Sequence, residues 1–110
     1  MARLQTTQHA YERFRQRVLP LLSKNKRKDY SKFHEVNEVI SSIGYGLMDG
    51  VNTGDKNIIK IETFVSLADE LIVPIILVID TVEMKIITLY VAENWEKITN
   101  GNKISWRCLC

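Results

Sequence analysis

The stretch Leu71–Ala92, LIVPIILVIDTVEMKIITLYVA, decides the fold. Leu71–Asp80 is nearly continuous apolar sequence, as a central strand buried on both faces requires. Asp80-Thr81-Val82-Glu83 is a short connection. Met84–Ala92 then alternates, with Ile87, Leu89 and Val91 on one face and Ile86, Thr88 and Tyr90 on the other. Strands joined this closely pair antiparallel, because a parallel pair needs a long crossover. Pro74 has no N–H to give a ladder, so a bulge or the start of regular pairing is expected there.

Upstream, Asn57–Ser66 sets Ile59, Ile61, Thr63 and Val65 against Ile58, Lys60, Glu62 and Phe64, which makes a further strand. Downstream, Asn100-Gly101-Asn102 reads as a turn, and Ile104–Cys110 can add an edge strand. Before Gly50 the apolar period is helical. Thr6 or Thr7 can cap a first helix whose stripe is Ala10, Phe14, Val18 and Leu21, and Pro20 should kink or end it. Lys24-Asn25-Lys26-Arg27-Lys28 reads as a basic loop. Asp29 can cap a second helix with the stripe Phe33, Val36, Ile40, Ile43 and Leu47, weakened near its end by Gly44 and Gly46. The expected architecture is a single α+β domain over residues 1–110. Two N-terminal helices, about 6–23 and 30–48, pack on one face of a three- to four-stranded antiparallel sheet at about 57–110.

Composition narrows the class. A chain of 110 residues, 45% hydrophobic and 25% charged, can bury one core and does not read as disordered. No apolar run reaches the roughly 18–20 residues of a membrane helix. Met1-Ala2-Arg3-Leu4-Gln5 lacks the apolar core of a signal peptide, so a cytoplasmic location without a membrane partner is expected. Cys108 and Cys110 are too few for a zinc site, and are expected as reduced thiols. His34 and Glu38 lack a third ligand, so neither metal nor cofactor is expected.

The net charge of +2 divides into +7 up to Phe33 and −5 from His34 onward. Such a split fits an anionic partner, either RNA or an acidic protein surface; it equally fits a solvated basic surface balanced by an acidic neighbouring face. His9, Arg13 and Arg17 fall on one helical ridge. Histidine moves protons near neutral pH, and arginine pairs with phosphate oxygens and stabilises developing negative charge, so this trio suits phosphodiester chemistry. Arg15, Lys24, Lys26, Arg27 and Lys28 can hold flanking anionic groups. Lys60 and Glu62 share a strand face and read first as solvated surface; Thr88 and Tyr90 share another, where the tyrosine can stack a base or donate a hydrogen bond, or equally cover the sheet edge.

The run Thr7-Gln8-His9-Ala10-Tyr11-Glu12-Arg13-Phe14-Arg15-Gln16-Arg17 resembles the N-terminal signature of a group of small prokaryotic and phage proteins related to RelE- and BrnT-type toxins. These lie within the barnase–EndoU–colicin–RelE ribonuclease grouping. The hairpin ending Thr88-Leu89-Tyr90 resembles that group's closing hairpin. In place of the glycine common after the last signature arginine, this chain has Val18-Leu19-Pro20. The resemblance implies a metal-independent endoribonuclease, with His9 transferring protons, Arg13 and Arg17 binding the scissile phosphate, and an antitoxin as partner. The other reading is a non-enzymatic phage or mobile-element protein that inhibits a host factor through its basic half. A homodimer through an edge strand, after Met84 or at Ile104–Cys110, is compatible with both.

Overall fold

The structure, a computed structural model, describes residues 4–48, 57–101 and 103–109. In chain order the elements are β1 (Gln5–Thr6), α1 (Gln8–Arg17), a 3-10 turn (Leu19–Leu21), α2 (Lys24–Arg27), a second 3-10 turn (Lys28–Tyr30), α3 (Phe33–Met48), β2 (Ile58–Leu67), β3 (Leu71–Asp80), β4 (Lys85–Val91), β5 (Trp95–Asn100) and β6 (Lys103–Cys108). The class is α+β, with helices preceding the sheet. The sheet formed by the described residues, however, has six strands and is mixed, not three or four antiparallel ones.

β3 is the axis of the sheet. β2 pairs antiparallel along its whole length, from Ile58↔Asp80 to Leu67↔Leu71. The other edge is divided. β4 takes residues 75–80 antiparallel, while β6 meets Leu71 in parallel and carries β5 as a hairpin partner. Gly101 supplies the positive φ of that hairpin turn. Pro74 lies just past the last β3–β4 pair, Ile75↔Val91, and its carbonyl accepts from the Ala92 N–H at 3.0 Å. Its missing N–H is therefore spent where regular pairing with β4 begins.

The core lies between the helices and one sheet face. Ala10, Phe14, Val18, Val36 and Ile40 pack with Ile59, Ile61, Val65, Leu77, Ile79 and Leu89. That face of β3 is fully buried; on the other Pro74 is buried, and Ile72, Ile76 and Val78 are partly covered. No residue of β3 is exposed on either face, as expected for a central strand, although the cover is complete only on one. Gly44 lets α3 pack closely on the core, as a Cβ there would meet the Leu4 side chain at 2.7 Å.

Several boundaries differ from the sequence reading. The first helix stops at Arg17, and Pro20 sits in the 3-10 turn that follows. The basic segment is the short helix α2 and not a loop, because tertiary ties described below hold it. Asp29 lies within the second 3-10 turn and caps nothing. α3 starts at Phe33, where the Glu35 carboxylate accepts from the Lys32 N–H at 3.1 Å. A register shift at Val78/Ile79 pairs Val78 with Thr88 and Ile79 with Ile86, leaving Ile87 as the extra residue. The bulge turns Ile86 inward with Leu89, so the expected grouping of Ile87 with Leu89 is corrected. Cys108 is disulfide-bonded and not a reduced thiol; Cys110 lies outside the described residues.

β1 is the element the periodicity missed. Gln5 and Thr7 donate their N–H groups to the Met84 and Ile86 carbonyls at 3.0 and 3.1 Å. On the opposite side, Thr6 N–H donates to Asn37 Oδ1 at 2.9 Å and the Ser41 hydroxyl donates to the Leu4 carbonyl. α3 thus closes the outer edge of β1 with side chains. Thr7 joins strand to helix: its hydroxyl accepts from Ala10 N–H at 3.1 Å as the N-cap of α1, and lies 2.8 and 3.0 Å from the Ile86 and Ile87 carbonyls, to which it donates. Neighbouring Thr6 is 5% exposed, and its hydroxyl has no partner.

Adjacent threonines should therefore respond in opposite directions. Thr7→Ala loses the cap and the strand contacts, and should cost about 1–2 kcal/mol. Thr6→Val keeps the shape and removes a stranded buried hydroxyl, and should gain about 1 kcal/mol. Urea unfolding of both variants checks the signs.

Candidate anionic-ligand site

α1 presents two basic flanks. On the first, Arg13 Nε donates to His9 Nε2 at 3.3 Å, and Arg13 Nη1 donates to Gln16 Oε1 at 2.7 Å. Arg17 Nη1 donates to the Leu89 carbonyl at 2.8 Å, which docks its guanidinium on β4. An arginine has five N–H donors, so both retain donors for an anion. His9 is exposed, and its Nε2 lone pair is taken up by Arg13. Thr88 and Tyr90 project from the sheet face opposite Leu89, away from the helical layer and from this ridge.

The second flank is a wall of a cleft. α1 and the turn after it contribute Glu12, Arg15, Gln16, Leu19 and Pro20 to its lining, and the segment from α2 onward contributes Arg27, Lys28 and Ser31, around a volume of about 720 Å³. Arg15 lies 5.6 Å from the Tyr11 ring centroid, a cation–π contact that holds it over the cleft wall. Arg27 gives Nε to the Leu22 carbonyl at 3.0 Å and Nη2 to the Pro20 carbonyl at 3.1 Å, so it also ties down the chain it follows. Gln16 lines the cleft and accepts from Arg13, which joins the two flanks into one surface. Lys24 and Lys26 are exposed on α2, outside the cleft lining.

Neutral contacts fix the far wall. The Tyr11 hydroxyl donates to the Ser31 carbonyl, and Tyr30 Oη accepts from Ala68 N–H at 2.9 Å. Glu70 accepts from Ser23 N–H, at the head of α2, at 2.9 Å. The β2–β3 turn that presents Glu70 holds Ala68 and Asp69 at φ values of 55° and 53°, a left-handed conformation that costs free energy for residues with a Cβ. The Ser23 backbone bond, the Ser23 side-chain bond and nearby Lys26 together hold the Glu70 carboxyl below its ordinary range.

Among the described residues the one ion pair is Arg107–Glu96, far along the chain from this layer. No carboxylate of the described residues therefore lies within ion-pairing distance of the basic residues of α1 and α2. The described residues also hold no cluster of three or more His, Cys, Asp or Glu arranged for a metal ion, and none of their helices is long and apolar enough to cross a membrane. Sequence reading missed Glu12, Gln16 and Leu19, although with Arg15 they follow helical spacing of three and four; Pro20 and Ser31 carried no such signal. No family model, curated protein or solved structure matches this chain.

Because the folded-state Glu70 is the more acidic, its tie to α2 is present above the ordinary carboxylate range and is lost as pH falls through the lowered value. An NMR titration should show the Ser23 amide shifting with a midpoint below that of an ordinary glutamate. Glu70→Gln should abolish that titration.

Proposed function

We propose that this protein is RNA-directed and grips the phosphate backbone with the α1–α2 layer. The observation that carries the reading is the cleft in which Arg15, Arg27 and Lys28 stand with no carboxylate of the described residues in ion-pairing distance, on walls held largely by neutral hydrogen bonds. Cations held this way need not give up an internal partner to bind an anion, and phosphate is the group that a guanidinium fork fits best. Lys24 and Lys26 extend the field along α2. The likeness of the α1 sequence to ribonuclease toxins favours RNA over an acidic protein as the polyanion.

Cleavage is a second reading, favoured by the contact between His9 and Arg13. In metal-independent RNA cleavage the ribose 2′-hydroxyl attacks phosphorus and the 5′-oxygen leaves. If Arg13 turned from Nε2 to the phosphate, it would neutralise developing charge and free the imidazole to accept the 2′-hydroxyl proton. Arg17 stands one turn further along the same ridge. A toxin of this kind would be paired with an antitoxin; a non-enzymatic inhibitor would use the same basic surface on an acidic face of a host protein.

Fluorescence anisotropy with a labelled single-stranded RNA tests the main reading. Affinity should fall linearly with salt on logarithmic axes, and Arg15→Ala with Lys28→Ala should each flatten the slope by about 0.7. Absence of binding at low salt would sink it. A quenched RNA reporter separates the second reading: His9→Ala should abolish turnover and leave binding intact, and a wild-type protein that binds without cutting leaves a binder only.

A further inference from the structure

The two long sides of the sheet are finished differently. The β1 edge is closed by Asn37 and Ser41. β2, ten residues long, pairs with β3 on one side, and no described element pairs with the other. An open edge of this length is a template for another strand.

The register shows which backbone groups are open. Phe64 faces Pro74, whose carbonyl points toward the β4 side, so the N–H and C=O of Phe64 point away from β3. The carbonyl of odd-numbered Asn57 points the other way, accepting from Thr81 N–H at 2.7 Å. Ile58, Lys60, Glu62 and Phe64 therefore offer the free edge its hydrogen-bonding groups. Their side chains all lie on the sheet face away from the helices. Two of them, Ile58 and Phe64, are among the exposed large hydrophobics, at 43% and 42%.

We infer that β2 pairs with β2 of a second copy, antiparallel about a twofold axis at Ile61. In this register Lys60 lies opposite the partner's Glu62, and Glu62 opposite the partner's Lys60. Ile58 lies opposite the partner's Phe64. Each of these pairs brings edge-facing N–H and C=O groups together, so the ladder closes with both hydrogen bonds of every pair. The charges select the register. A shift of two residues sets Lys60 against itself in one direction and Glu62 against itself in the other, and like charges directly opposite destabilise a strand pair. A shift of one residue opposes edge-facing groups to groups already used in the β3 ladder. The axis is perpendicular to the sheet, so the helical layers of both copies share one face.

Sedimentation velocity on the intact protein tests this, with hydrogen exchange as a second readout. The wild type should be a dimer at micromolar concentration. Lys60→Glu and Glu62→Lys, both on the exposed face, should each weaken self-association by at least about tenfold while leaving circular dichroism unchanged and removing the concentration dependence of thermal unfolding. An equimolar mixture of the two variants should associate again, because each strand then opposes only the other's sign. The amides of Lys60, Glu62 and Phe64 should gain protection as concentration rises. A monomeric wild type would overturn the proposal, as would a dimer indifferent to both substitutions.

Discussion

The arrangement depends on Thr7, where one hydroxyl serves two elements. It accepts from Ala10 N–H and so starts α1, and it faces the Ile86 and Ile87 carbonyls and so fixes that start on β4. The two carbonyls are brought to one point by the bulge that makes Ile87 the extra residue of β4. With the start of α1 set there, its apolar stripe lies on the sheet, Arg17 reaches the Leu89 carbonyl, and the opposite flank faces α2. The position of the basic surface follows from a hydroxyl, a bulge and a helical repeat.

Charge and structure are segregated in the same way. The helical layer is anchored through neutral groups: Tyr11 to Ser31, Tyr30 to Ala68, Asn37 to Thr6 and Ser41 to Leu4. Arg17 and Glu70 are the charged exceptions, and each takes a backbone group as its partner, the Leu89 carbonyl and the Ser23 N–H. Anchoring by neutral groups leaves the cations of α1 and α2 outside the ion pairs of the described residues, with Lys26 alone drawn toward Glu70 at longer range. Tolerating repulsion among these cations in a chain of net charge +2 is understandable if an anion relieves it.

Much of the sheet was legible because its long strands carry strong period-two or continuous apolar patterns. The stripes of α1 and α3 were legible for the same reason at helical period. What escaped has specific causes. Gln5–Thr6 is too short for any period, and its partner lies far away in sequence. Trp95–Asn100 alternates little between buried and exposed, since only its first two residues are even partly covered, Trp95 against Phe64. The bulge reversed Ile86 and Ile87, which no alternation rule could foresee. For the site, Arg15, Arg27 and Lys28 were legible as cations by composition. Their convergence with Glu12 and Gln16 was not, because α2 has no apolar stripe and is placed by Glu70 and Tyr30, both reached through tertiary contacts.

The bond between Thr7 and Ile87 spans 80 residues. Closing so long a loop delays the contact until most of the chain exists, and contacts of this separation slow folding. At ribosomal speeds, on the order of ten seconds separate synthesis of the two residues. During that interval the basic segment is already made while the strand that seats α1 is still missing. The nascent chain therefore carries its positive charge first as an unshaped polymer, and only afterwards as a cleft with fixed walls.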